Sequence, residues 1–164
     1  NKKNTSENNQ KNSDKISPYG FNKRIAELYI KKLSPKYLIL RLPFIIGPGL
    51  RRNSVYDLTH FKKTFYTFNS QINWIHTDTI ANSVMHLIQK NIYNQTFNLA
   101  SKNSISISQV AKLCEINRDD IILTNRTFEK TYINCNKIQK YVSLSDSINE
   151  VSKYISEFKI NKNI

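Results

Sequence analysis

The sequence predicts an α/β fold organised around a parallel sheet. Helical and extended patterns alternate along its 164 residues. The stretch 37–42 is apolar except for Arg41, which is typical of a parallel strand buried on both faces. A second buried strand is expected at 96–100, after a helix at 79–90.

The first helix is the best-marked element. Ser17 suits the N-cap, and Pro18 suits the first helical position, where a missing N–H costs nothing. Four apolar residues then recur at helical spacing and are expected to form its buried stripe: Ile25, Leu28, Tyr29 and Leu33.

The later elements follow from the same periodicities. We expect strands at 64–68, 72–75 and 121–123, a short helix at 54–63, and a helical turn at 136–141. Thr77 or Asp78 is expected to cap the helix at 79–90, and Ser106 or Ser108 the helix that ends at Leu113. The helix at 79–90 should bury one apolar face, formed by Ala81, Val84, Met85 and Ile88. The final helix should span 145–158, using Ile148, Val151, Tyr154, Ile155 and Phe158.

Both ends of the chain are polar. Residues 1–16 lack apolar periodicity and are expected to form a polar loop or a disordered tail, and 159–164 should fray. The domain prediction is therefore a tail at 1–16 and a folded unit at 17–164.

Tyr19 and Lys23 lie four residues apart at the start of the first helix, so they share one face. A nearby ammonium and a helix N-terminus both favour a phenolate, which would lower the pKa of the tyrosine and suit it to proton transfer. The chemistry that fits is proton transfer to an alcohol or carbonyl oxygen while hydride moves at the adjacent carbon. On spacing alone, a packing tyrosine beside a solvated lysine is the favoured interpretation, because Tyr and Lys are common at this spacing on helices.

Charge and composition limit the other functional classes. The net charge of +13 suggests an anionic partner, but the lysines are spread out and no RNA-binding signature is present, so no specific nucleic acid is expected. The sequence has no signal peptide and no apolar run of membrane-spanning length, so a cytoplasmic protein without membrane contact is expected.

The remaining reactive side chains are expected to be structural. Cys114 and Cys135 lack metal-ligand spacing and should be free thiols. His76 is expected to bond to nearby backbone, and His60 and His86 add no metal-binding pattern, so no metal site is predicted.

Four segments, in order, resemble the extended short-chain dehydrogenase/reductase family, the NAD-dependent epimerase/dehydratase proteins. The similarity spans about residues 17–158. Residues 17–27 (SPYGFNKRIAE) resemble the family's catalytic helix, and 37–49 (YLILRLPFIIGPG) resemble the following strand and turn. Residues 74–81 (WIHTDTIA) resemble a third segment, and 96–100 (TFNLA) together with 106–108 (SIS) resemble a fourth.

The resemblance implies the C-terminal part of a Rossmann-type parallel sheet with a small α/β substrate-binding region. It makes Tyr19 the catalytic acid/base, while Lys23 lowers the pKa of that tyrosine and bonds the nicotinamide ribose. The backbone near Pro43 would approach the carboxamide of NAD or NADP. The implied reaction is hydride transfer on a nucleotide sugar or a related alcohol or ketone, as an oxidoreductase or isomerase.

Several positions depart from the family pattern. The three glycines, Gly20, Gly47 and Gly49, cannot form the dinucleotide fingerprint, so the N-terminal dinucleotide-binding half is absent from the sequence. No serine suits the catalytic serine position. Phe44 stands where many nucleotide-sugar enzymes have asparagine, and Ile72 and Asn73 where an arginine is frequent.

Three functional readings follow. The first is an NAD(P)-dependent epimerase, dehydratase or reductase acting on a small molecule. The second is a non-catalytic fragment that needs a partner chain or its missing half, with a homo-oligomer as an open alternative. The third, a basic nucleic-acid binder, rests on charge alone. Arg51 and Arg52 fit either phosphate binding or solvation.

Overall fold

The computed structural model describes Glu7 and residues 17–162, with side chains described to residue 159. Within this part, the helices are α1 (Pro18–Leu33), α2 (Ser54–Phe61), α3 (Thr77–Gln89), α4 (Ile107–Leu113) and α5 (Ser147–Lys162). The strands are β1 (Leu38–Arg41), β2 (Phe44–Ile46), β3 (Lys63–Tyr66), β4 (Gln71–Ile72), β5 (Trp74–His76), β6 (Gln95–Asn98), β7 (Ile105–Ser106) and β8 (Ile122–Thr127). The predicted α/β class is confirmed.

The strands pair in four two-stranded ladders. Three are parallel (β1 with β6, β2 with β5, β3 with β8), and β4 pairs antiparallel with β7. The register of the first ladder ends with Arg41 opposite Asn98. The chain then changes partner, because β2 begins at Phe44 and pairs with β5. Leu42 and Pro43 form the link, so Pro43 lies where the chain passes from one ladder to the other.

Two apolar clusters form the core. One surrounds Trp74 and includes Ile46, Leu58, Ile72, Val110, Val151 and Ile155. The other surrounds Phe97 and includes Ile75, Leu87, Leu99, Ile138 and Leu144. The β2–β5 ladder contributes to both, since Trp74 and Ile75 point to opposite faces of their strand.

The apolar stripe predicted for α1 is not buried. Ser17 caps the helix as expected, since its hydroxyl accepts the Gly20 N–H at 3.2 Å. However, no residue of α1 is buried, and Leu33 is 72% exposed. The prediction was wrong because no element of the described chain packs over this side of the helix. For the same reason β1 is only partly covered, and Ile39 is its one buried residue.

The buried face of α3 also differs from the prediction. Ser83 and Leu87 are buried, whereas Met85 and Ile88 are exposed. The helix can bury Ser83 because its hydroxyl donates to the Thr79 carbonyl at 2.7 Å, which satisfies the polar group.

The ends of several helices differ from the predicted ones. α3 begins at Thr77 with His76 as its N-cap, not with Thr77 or Asp78. Ser106 caps α4 in a reciprocal arrangement with Gln109, which confirms one of two expected positions. α5 continues to Lys162, so most of the tail expected to fray is helical.

The tail predicted at 1–16 lies outside the described residues except for Glu7. No described helix has both the length and the apolar character needed to span a bilayer.

Candidate active site

The first turn of α1 presents a phenol and an ammonium side by side. The Lys23 Nζ lies 5.5 Å from the centroid of the Tyr19 ring, within the range of a cation–π contact. Tyr19 is 72% exposed, and Lys23 is exposed as well. Within the described residues, Lys23 makes no ion pair with a carboxylate. The predicted pair is therefore assembled and open to solvent on the helix surface.

A bidentate ion pair links α1 to the end of β1. The Arg41 Nε and Nη2 donate to the two carboxylate oxygens of Glu27 at 2.8 and 2.7 Å. The third nitrogen, Nη1, donates to the Glu7 carbonyl at 3.1 Å. The hydrogen bond from Arg41 holds the pKa of Glu27 below its usual range. This pair was missed by sequence reasoning, although an arginine that ends an apolar strand does signal a buried partner.

Pro43 lies two residues after Arg41 and is half-buried. The structure brings Tyr19 and Lys23 together, but among the described residues it shows no hydrogen bond from either to Pro43. The connection is indirect, through α1, the ion pair and the end of β1.

Beyond Pro43, three aromatic side chains form a cluster. The Phe44 ring lies 5.9 Å from the Tyr66 ring, edge-on, and 5.4 Å from the Trp74 ring. Trp74 is fully buried, and its Nε1–H has no hydrogen-bond partner among the described atoms. Phe44 thus makes the start of β2 apolar.

The loop after β2 carries the two arginines considered for phosphate binding. Arg51 and Arg52 are both exposed. The next residue, Asn53, caps α2 by accepting the Tyr56 N–H at 2.8 Å. Gly47 is required earlier in this loop, because a Cβ there would overlap the Thr77 side chain.

His76 lies in a polar cluster between β5, α3 and α5. Its Nδ1 accepts the Asp78 N–H at 3.2 Å, so Nε2 carries the proton and donates to Glu157 at 3.0 Å. The backbone N–H of His76 donates to the buried Glu150 at 2.7 Å. Ligand atoms of His76, Asp78 and Glu157 lie within 4.8 Å of one another. Both ring nitrogens already take part in hydrogen bonds, because Nδ1 caps α3 and Nε2 joins β5 to α5.

The two cysteines are free thiols, as predicted. Burial raises the pKa of Cys114 to about 12 and that of Cys135 to about 11, so neither is a ready nucleophile. Two open surface depressions of about 330 and 320 Å³ share Tyr141, Val142 and Ser143, and neither is lined by the residues predicted as the site.

Neither a protein-family profile nor a curated protein sequence matches the chain. Solved structures do match its fold. They include a dTDP-glucose 4,6-dehydratase from Bacillus anthracis in complex with NAD, with 13% identity, a TM-score of 0.72, and 98% of this chain and 59% of that chain covered. A UDP-glucose 4-epimerase from Thermotoga maritima with UDP-glucose has 14% identity and a TM-score of 0.69. The match covers 90% of this chain and 55% of that chain.

A UDP-glucuronic acid 4-epimerase from Bacillus cereus in complex with NAD has 18% identity and a TM-score of 0.68. The match covers 94% of this chain and 56% of that chain. The chain therefore spans between half and two thirds of the length of these enzymes. It has the fold of the C-terminal portion of the NAD-dependent epimerase/dehydratase enzymes of the short-chain dehydrogenase/reductase type.

Proposed function

We propose that this chain supplies the proton-transfer pair of an NAD(P)-dependent epimerase, dehydratase or reductase. The observation that carries the proposal is the Lys23 ammonium beside the exposed Tyr19 ring, at the start of a helix in this fold. The substrate class is a nucleotide sugar or a related alcohol or ketone.

In this proposal the Tyr19 hydroxyl gives a proton to, or takes one from, the substrate oxygen. A positive charge fixed beside the phenol stabilises the phenolate that forms when the proton leaves. Lys23 provides that charge, and a free ammonium has three N–H donors for ribose hydroxyls. When bound, the nicotinamide cofactor supplies or accepts the hydride.

The chain's residues fit one end of a dinucleotide only. Lys23 has no carboxylate partner among the described residues and is available to the nicotinamide ribose. Pro43 is proposed to present its backbone to the carboxamide. No glycine-rich turn is available for the pyrophosphate, because Gly20 lies inside α1, and Gly47 and Gly49 lie in the turn after β2. The proposed cofactor site thus needs groups from outside this sequence.

The aromatic cluster favours a less polar substrate group at the start of β2. Phe44 is half-buried against Tyr66 and Trp74, and it has no side-chain amide with which to bind a sugar hydroxyl. This observation moves the proposal from a standard nucleotide-sugar epimerase towards a reductase or epimerase with a different substrate.

The test is titration of NAD(H) and NADP(H) into the purified protein, followed by calorimetry and nicotinamide fluorescence. Lys23→Ala is expected to weaken binding about tenfold or more, because it removes charged hydrogen bonds. Tyr19→Phe should retain most binding and lose any turnover. Tyr29→Phe and Lys32→Ala change the same residue types near the far end of α1 and should behave as the parent.

The competing reading, a non-catalytic fragment, draws on the exposed side of α1 and the missing glycine-rich turn. It predicts a folded chain with no cofactor binding in any variant. Equal binding by the parent and Lys23→Ala would also overturn the assignment of Lys23.

A further inference from the structure

Each of the three guanidinium nitrogens of Arg41 donates a hydrogen bond. Two nitrogens hold both oxygens of Glu27, and the third holds the Glu7 carbonyl. The Glu7 carboxylate in turn accepts the backbone N–H of Asn98 at 2.9 Å. Arg41 is thus fixed at the point where β1 and β6 both end.

The Arg41–Glu27 pair also joins α1 to the end of β1. No residue of that helix is buried. In the described part of the chain, no other side-chain hydrogen bond or ion pair joins α1 to another element. Among the described residues, this bidentate contact is therefore the polar side-chain link that positions the helix carrying Tyr19.

Glu27 has a second relation to the candidate site. It lies four residues after Lys23, and residues at this spacing face each other on a helix. Glu27 would therefore be a natural partner for the Lys23 ammonium. The structure instead places Lys23 over Tyr19 and both carboxylate oxygens on Arg41. Lys31, one turn further along, reaches only to 4.0 Å from the same carboxylate.

We propose that Arg41 is a positioning residue that keeps Glu27 away from Lys23, so that the Lys23 ammonium stays beside Tyr19. The bidentate geometry matters, because both carboxylate oxygens of Glu27 accept hydrogen bonds from Arg41, which orients the carboxylate towards the end of β1. This inference rests on the proposed function for its catalytic meaning, but the arrangement of the three side chains is testable without any activity.

The experiment measures the Lys23 ε-methylene protons by NMR in the isotopically labelled chain. An aromatic ring below the ammonium shifts these protons upfield, and Tyr19→Leu gives the reference without a ring. Arg41→Gln is expected to reduce the upfield shift, because the freed carboxylate draws Lys23 away. Glu27→Gln should retain the shift, and the double variant Arg41→Gln/Glu27→Gln should restore it.

The variants Arg41→Gln, Glu27→Gln and Arg41→Gln/Glu27→Gln distinguish a positioning role of Arg41 from a role in anchoring α1. Each lacks the ion pair, so an anchoring role alone would change the Lys23 signal equally in all three, and that result would overturn the proposal. An unchanged signal in Arg41→Gln would overturn it too. Arg51→Gln, which removes an exposed loop arginine, serves as the matched control.

Turnover supplies a second readout once a substrate is identified. Arg41→Gln should lower kcat more than it raises KM. The double variant Arg41→Gln/Glu27→Gln should recover part of the lost kcat. If Tyr19 and Lys23 prove not to be catalytic, the NMR pattern still holds and only the kinetic pattern is lost, so the two proposals fail separately.

Discussion

Helices α1 and α5 are each 16 residues long, yet they relate to the rest of the molecule in opposite ways. α5 buries Val151, Tyr154 and Ile155 against the core. Within the described residues, α1 has no buried residue, and one ion pair joins it to another element. Both sequences carry apolar residues at helical spacing. The difference therefore lies in what each helix meets in the described chain, and a periodic pattern does not reveal that.

The largest expected contrast is in stability. Ile155→Ala in α5 should lower the free energy of unfolding by about 2–5 kcal/mol, because it removes packed core atoms. At concentrations where the chain is monomeric, Leu33→Ala in α1 should change it by less than about 0.5 kcal/mol, because that side chain is already in water. Urea denaturation followed by circular dichroism measures both. A large loss in Leu33→Ala would mean that α1 is covered in solution, and the contrast between the helices would disappear.

A smaller effect is expected at the polar contacts of α5. The buried Glu150 carboxylate accepts the His76 N–H and the Thr79 hydroxyl. Glu150→Ala leaves buried donors unpaired and should cost about 1–3 kcal/mol. Glu150→Gln keeps one acceptor oxygen and should cost less. If the two variants unfold at the same urea concentration, the hydrogen bonds to Glu150 do not hold α5 in place.

Local signals in the sequence located most elements correctly. Ser17 and Pro18 marked the start of α1, and Ser106 that of α4, because capping is a short-range interaction. The pairing of Tyr19 with Lys23 follows from helix geometry alone. Caps and i, i+4 pairs can be read from a sequence because their partners lie within one turn.

The errors arose where the partner is distant along the chain. The apolar side of α1 and the face of α3 were assigned as core, but tertiary packing decides which side of a helix is covered. The ion pair between Glu27 and Arg41 joins residues 14 apart in sequence, and no spacing rule links them. Phe44 stood out only as a departure from a family pattern. Its contacts with Tyr66 and Trp74 required the fold.

The exposed side of α1 should make the isolated chain associate. Tyr29, Leu28 and Leu33 are all more than half exposed on this helix. The double variant Leu28→Lys/Leu33→Lys should weaken self-association about tenfold or more, since burying one leucine contributes roughly 1.5–3 kcal/mol. Sedimentation velocity over a concentration series measures this change. Met85→Lys, on the exposed side of α3, is the matched control. A parent chain that remains a monomer at every concentration would contradict the prediction.

The smallest expected effect is a difference in acid sensitivity between the two helices. The hydrogen bond from Arg41 lowers the pKa of Glu27 from its usual 4.5, so the ion pair stabilises the docked helix above that pH. This contribution should be lost as the pH falls below about 4.5, through the lower pKa of the folded state. Amide protection in α1, corrected for intrinsic exchange, should therefore fall before protection in α5. The Lys153–Asp78 pair at α5 is acid-sensitive in the same direction, because the hydrogen bond from Lys153 lowers the pKa of Asp78, but α5 keeps its buried apolar contacts. Glu27→Gln should remove the pH dependence from α1 and leave that of α5 unchanged. If α1 in the parent chain keeps constant protection through this range, the ion pair does not govern its docking.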